Sequence, residues 1–290
     1  MRSLPSVVML MILMLWLVTP VVAAPTTATL TFAALPTETP DIIHRNIRPF
    51  LNDLEDQLQI KIDVFYSSSY QHLLDSFLDN TVDLAFLGPL PYVTLKQQKP
   101  EAQPVVTFLE DDGSPFYTCA LLTTIDGVND PLDLTGMPLA LTNPLSTCGY
   151  LVTESILASL GLSLKQTGYD YLKRHDLVAL SVARGEYAGG GVKTSIGKRY
   201  LHLGLQILAE SKPVPGRPLI ANGATVSPEM IEKIRHFATT ATAATAVRPD
   251  KDLIKQPHWG PVLLYGAVSA SDKDFDPLRE MLNGQEIPAQ

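Results

Sequence analysis

The chain has 290 residues, a net charge of −8 at neutral pH and a pI near 5.2. An acidic balance of this kind speaks against a nucleic-acid partner, which selects basic stripes, but not against a small anion held by local donors. The two cysteines, Cys119 and Cys148, show no CxxC spacing and the histidines no paired spacing, so neither a metal nor a cofactor is expected.

The N-terminus reads as an export signal. Arg2 supplies a positive start, residues 7–18 are almost wholly apolar, and Val21-Val22-Ala23-Ala24 suits cleavage after Ala23. The apolar run is short for a membrane span, and no Cys lies near the cut to carry a lipid. Residues 1–23 are therefore expected to be removed, leaving an exported chain without a membrane anchor.

Beyond it, residues 28–33 alternate as a strand, and Ile43, Ile47, Phe50, Leu51 and Leu54 mark a helix over 42–58. Residues 60–66 read as a strand, 70–78 as a helix and 82–87 as a strand closed by Gly88-Pro89. This βαβαβ alternation implies a mostly parallel sheet with ligands at the carboxyl ends of its strands. Strands over 104–109 and 117–123 follow, around Asp111-Asp112-Gly113-Ser114-Pro115.

Residues 138–142 lead as a strand into Ser146-Thr147-Cys148-Gly149. Tyr150, Leu151, Ile156, Leu157 and Leu160 then recur at helical spacing up to Gly161. Ser146 is the candidate N-cap, and the first turn carries backbone N–H groups without intrahelical partners at the positive end of the helix dipole. Three short polar side chains meet at that point, and Gly149 is expected to let a ligand approach the backbone. This is an anion seat.

Residues 178–185 form a helix–turn unit introduced by Arg174-His175-Asp176. Residues 203–209 read as a strand, 228–240 as a helix capped by Ser227, and 274–282 as a closing helix before a loose tail. Residues 259–268 have no clear period. Gly189-Gly190-Gly191-Val192-Lys193-Thr194-Ser195 looks like a phosphate loop, but its Lys does not follow the required Gly and no strand clearly precedes it. The remaining chain of about 270 residues is long for one core and fits two lobes. Pro/Gly-marked segments near Pro115 and at 213–218 bracket the middle third. The expected architecture is an α/β clamp: lobe 1 from residues 24–116 and 218–290, lobe 2 from 117–217, each a mostly parallel sheet flanked by helices, joined by a two-segment hinge.

Six segments occur in an order that resembles the phosphonate/phosphite-binding proteins of bacterial ABC importers, a family of periplasmic solute-binding proteins. They are Ser69-Tyr70, Val82 through Pro89, Gly113 through Tyr117, Ser146 through Gly149, His175-Asp176 ahead of Ala179-Leu180-Ser181-Val182, and Pro213-Val214-Pro215-Gly216. The resemblance implies a non-enzymatic, periplasmic clamp that closes on phosphite, phosphate or an alkyl phosphonate and delivers it to an ABC permease. It assigns Tyr70 and Tyr117 as donors to the anion, Ser146 and Thr147 as the hydroxyl pair at the helix start, and His175 as a contact from the second lobe. The chemistry agrees, because oxyanion oxygens want hydroxyls, N–H groups and a protonatable imidazole rather than carboxylates.

The chain departs from the family pattern in two places. Relatives that take an aminoalkyl phosphonate hold its ammonium with two carboxylates, and Ser195 and Arg217 stand at those positions here. An Arg cannot hold a cation. The usual Ser-Thr-Ser-Gly turn has become Ser146-Thr147-Cys148-Gly149. Cys119 lies two residues beyond Tyr117 on a strand, on the same face, so the two cysteines either line the cleft, with Cys148 as a ligand-binding residue, or form a structural pair. The first option admits a second function: a sensor subunit that binds a thiophilic or sulfur oxyanion such as arsenite and signals to a histidine kinase. Catalysis by Ser146 and His175 is not expected, since no Gly-x-Ser-x-Gly elbow is present and an N-cap serine engages the backbone.

Overall fold

The computed structural model describes residues 28–246, 259–260, 263–283, 285 and 287–288. The expected export signal lies outside them, as does half of the tail. In chain order the first part comprises β1 (Thr29–Ala34), α1 (Pro40–Leu58), β2 (Lys61–Phe65), α2 (Tyr70–Leu78), β3 (Leu84–Phe86), α3 (Pro89–Gln98) and β4 (Ala102–Phe108). The chain crosses through β5 (Phe116–Tyr117) into β6 (Cys119–Thr124) and β7 (Leu139–Leu141). A π-helical turn at Thr147–Val152 continues as α4 (Thr153–Ser159), followed by α5 (Leu164–Thr167), β8 (Tyr169–Tyr171), α6 (His175–Ala183), β9 (Gly189–Lys193), α7 (Thr194–Lys198) and β10 (Leu205–Glu210). It returns through β11 (Val214–Pro215) to β12 (Pro218–Asn222), α8 (Pro228–Ala246), β13 (Ala267–Ser269) and α9 (Asp276–Leu282).

These strands form two sheets, ordered β13-β4-β12-β3-β1-β2 and β10-β6-β9-β7-β8. The chain is an α/β clamp with a sheet in each lobe. In the first sheet β1 to β4 share one direction, and β12 and β13 oppose them. In the second, β6 alone opposes the other four. The reversed β6 and β12 each enter a lobe directly from the crossing, and so run against the βαβ strands beside them. The crossing segments pair with each other, Val214 with Tyr117 and Pro215 with Phe116. Gly216 permits this approach: a Cβ there would stand 2.7 Å from the Pro115 carbonyl oxygen and 2.7 Å from Thr107.

The helices bury the faces their periodicity marks. Ile47, Phe50, Leu51 and Leu54 of α1 are buried, and Phe50 meets Phe108 edge-on at 5.5 Å between ring centres. Three of the elements that escape sequence reading shape the site or its frame. Pro89 and Pro91 suggest a break, yet they sit in the first turn of α3, where the missing N–H costs nothing. That helix is also buried at Pro89 to Val93 and at Leu95, so it shows no amphipathic period. The glycine run 189–191 is a buried strand, not a loop: a Cβ on Gly190 would meet Val178 at 2.5 Å, and one on Gly191 would meet Thr153 at 2.0 Å. Helix packing directly on β9 requires those glycines. β12 begins at Pro218, which sequence reading takes as the end of a loop.

Candidate functional site

A cleft of about 730 Å³ lies between the two sheets. Its walls are built mostly from segments that follow strand ends, as an open α/β sheet dictates. Leu87 and Gly88 follow β3, Glu110 follows β4, Ser146 to Cys148 follow β7, and His175 follows β8. Lys193 ends β9. Tyr70 opens α2, while Tyr117 and Arg217 come from the crossing segments. All eight residues expected at the site, Tyr70, Tyr117, Ser146, Thr147, Cys148, His175, Ser195 and Arg217, line this cleft. A smaller recess of about 270 Å³ beside it holds none of them.

Ser146 caps the helix, its Oγ accepting from Gly149 N at 3.0 Å. Thr147 Oγ1 accepts from Leu90 N at 3.0 Å, a bond that reaches from the second lobe to the first turn of α3 in the first. A hydroxyl has one proton to donate, and neither bond uses it. The Ser146 proton is therefore available to an anion, while Thr147 and the Tyr117 phenol, whose hydroxyls bond each other, offer one proton between them. The first helix amides, at Thr147 and Cys148, have no intrahelical acceptor. The helix opens as a π turn, with Leu151 N reaching Ser146 O at 3.3 Å, and Thr153 Oγ1 donates to the Cys148 carbonyl at 2.7 Å. π turns recur at functional sites. Gly149 has a different reason from the expected one. A Cβ there would fall 1.9 Å from Thr142 Oγ1, so it allows the turn to seat on the end of β7. The glycine open to the seat is Gly88, whose Cβ would stand 3.6 Å from Thr147 Oγ1.

Burial raises the Tyr70 pKa to about 12 against the pull of nearby Arg217, and raises that of Tyr117 higher still against a hydrogen bond with Thr147 and the charge of Arg217. Both phenols keep their protons and can donate. His175 Nδ1 accepts from Lys193 N at 3.3 Å. Burial and the charges of Lys193 and Arg217 push its pKa down to about 4. The imidazole is thus neutral at neutral pH, and its Nε2–H is the donor it presents.

Sequence reasoning passed over Lys193 and Glu110. Lys193 Nζ bonds both Glu110 oxygens, at 2.6 and 2.5 Å, and stands 4.9 Å from the centre of the Tyr117 ring. Burial and Arg217 lower its pKa to about 8 despite the Glu110 charge. Recognising residues 189–193 as a strand would have put Lys193 at its carboxyl end, where a site residue belongs. Arg217 is partly buried, its Cζ 5.2 Å from the centre of the Phe86 ring. Burial lowers its pKa, opposed chiefly by Glu110. Ser195 lines the cleft from an exposed position.

Cys119 and Cys148 form a disulfide, and both residues are buried. Cys148 lines the cleft, but its sulfur is bonded and offers no thiolate. The expected role of Cys148 as a sulfur ligand is therefore corrected, and the arsenite-sensor alternative loses the residue that suggested it. Among the described residues no cluster of three or more metal-ligating side chains occurs, and no helix is long and apolar enough to cross a membrane.

Residues 32–260 match the model of the family described as ABC transporter, phosphonate, periplasmic substrate-binding protein. The chain belongs to this family. Among curated relatives, the phosphate-import protein PhnD of Mycolicibacterium smegmatis is 28% identical over 225 residues, covering 71% of this chain and 70% of that protein. The phosphonates-binding periplasmic protein of Escherichia coli is 26% identical over 205 residues, covering 66% of this chain and 60% of its own length. Among solved structures, PhnD1 from Prochlorococcus marinus, in complex with methylphosphonate, superposes with a TM-score of 0.73 at 14% identity, covering 88% of this chain and 97% of that one. Membership of the family makes this chain a substrate-binding protein of an ABC transporter, a periplasmic and non-enzymatic class.

Proposed function

We propose that the chain binds a phosphoryl oxyanion without an ammonium group, namely phosphite, phosphate or an alkyl phosphonate, and delivers it to an ABC permease. One observation carries this reading: the Ser146 and Thr147 hydroxyls accept backbone N–H bonds, which leaves the Ser146 proton, and one shared by Thr147 and the adjoining Tyr117, for a ligand. They open onto a cleft shared with Tyr70, Tyr117 and His175, which are donors in their resting protonation states. The names of the relatives, phosphate import, phosphonate binding and a methylphosphonate complex, support the same ligand class. In this reading residues 24–116 with 218–290 close on residues 117–217 about the paired crossing segments, and residues 1–23 are cleaved on export.

The test is titration calorimetry with phosphite, phosphate and methylphosphonate on wild type, Ser146→Ala and Thr147→Ala. Each variant removes one charge-assisted hydrogen bond and should weaken binding by about 1.5–3 kcal/mol. Unchanged affinity in both would put the anion elsewhere.

A further inference from the structure

The oxyanion seat occupies part of the cleft only. At about 730 Å³ the cleft lies in the range that encloses drug-sized ligands, well beyond a bare tetrahedral anion. The seat also needs no further donors. Two helix amides, the Ser146 hydroxyl, Tyr70, His175 and one proton from the Thr147–Tyr117 pair already meet the roughly six lone-pair sites on three phosphoryl oxygens. Yet the wall formed by the crossing segments adds a permanently charged guanidinium, that of Arg217.

The carboxylates around Arg217 are engaged elsewhere. Both Glu110 oxygens bond Lys193, and Asp176 bonds Arg174 at 3.0 and 2.7 Å. Glu38 and Asp111, the other carboxylates of the lining, are exposed. Arg217 thus lies against Phe86 with five N–H donors and no hydrogen-bond acceptor among the described residues. A guanidinium cannot shed its charge, and partial burial without acceptors is costly. Its backbone is held, since the Arg217 carbonyl accepts from Phe108 N at 3.3 Å. The counter-charge the guanidinium feels most, Glu110, is hydrogen-bonded to Lys193 instead.

Building on the phosphoryl-oxyanion reading above, we infer that the ligand carries a second anionic group on its substituent, a carboxylate or a second phosphoryl, and that Arg217 receives it. A planar fork matches either group through two parallel N–H···O bonds. The anion would also share the field of Lys193, whose charge Glu110 now balances.

The experiment compares three ligands by calorimetry in buffered salt: ethylphosphonate as the neutral-ended reference, phosphonoacetate for the carboxylate and methylenediphosphonate for the second phosphoryl. Wild type should bind one of the two doubly anionic ligands at least about tenfold tighter than ethylphosphonate. Arg217→Gln should reduce that ratio to below about threefold. Glu110→Gln removes the competing carboxylate and frees Lys193, so it should enlarge the ratio. A wild-type ratio of one or less for both ligands overturns the inference and leaves the phosphoryl-binding reading intact. So does a ratio that survives Arg217→Gln or falls with Glu110→Gln. If phosphite, phosphate and all three phosphonates fail to bind, both readings fall together.

Discussion

At the scale of single residues, charge decides which ligands the cleft rejects. Arg217, which the family resemblance puts where amine-binding relatives hold a carboxylate, lines the cleft. A ligand ammonium brought beside it meets a like charge, a normal device for excluding the wrong partner. 2-Aminoethylphosphonate should therefore bind at least tenfold more weakly than methylphosphonate, about 1.4 kcal/mol. Arg217→Asp should invert the order, and competition between the two ligands measures it. A wild-type preference for the amine would contradict this account. His175 gives a second handle. Its pKa of about 4 lies below that of an unfolded histidine, so the unfolded chain takes up a proton first as pH falls. Its contribution to stability is complete above about pH 6.5 and is lost progressively toward pH 4, by about 3 kcal/mol at most. Melting curves of the ligand-free protein at pH 7 and 4.5 should diverge less for His175→Asn than for wild type. An equal divergence would mean that His175 is not held neutral.

At the scale of elements, the anion turn is held by what packs behind it. The disulfide joins Cys148, in the first turn, to Cys119 at the start of β6. Cys119 is itself tied to the returning segment: its amide donates to Ser211 Oγ at 3.0 Å, and its carbonyl accepts from Ser211 N at 2.9 Å. The seat and the crossing are thus mechanically linked through one covalent bond. Replacing the pair by Cys119→Ala and Cys148→Ser frees a loop spanning 29 positions. The chain-entropy model gives a loss of about 3.6 kcal/mol for a loop of this length. Urea denaturation should register that loss, and calorimetry should register weaker anion binding beside it. Lost stability with unchanged affinity would confine the disulfide to a folding role. The glycines act at the same scale: Gly149, Gly190 and Gly191 let helices touch strands directly, and a methyl group at any of them would push the site walls apart.

At the scale of the molecule, two polar contacts join the lobes across the cleft. The Leu90–Thr147 bond and the Lys193–Glu110 pair both span the cleft, and β5 with β11 forms the ribbon about which it would open. Hinge closure around a ligand is the motion that fits two lobes joined by two short strands. Small-angle scattering should show a smaller radius of gyration once a bound phosphoryl anion is added. Tight binding without compaction would count against the clamp.

Local periodicity and turn chemistry determined a good deal by themselves. The βαβαβ order, the helix over residues 70–78 and the cap at Ser146 all follow from patterns within a short window, where neighbours in sequence are neighbours in space. The convergence of Tyr70, Tyr117, Ser146, Thr147 and His175 came from the family resemblance, not from any local pattern. What only the tertiary structure decided are quantities set by distant partners. Whether Cys148 is a thiol or a disulfide depends on Cys119, 29 positions away. That Gly189 to Val192 form a buried strand depends on α6 and the π turn packing against them, because glycine has no strand preference of its own to read. The neutrality of His175 and the want of a hydrogen-bond acceptor at Arg217 depend on Lys193, Glu110 and burial. These effects are set by proximity and local dielectric across the fold, and spacing along the chain does not encode them.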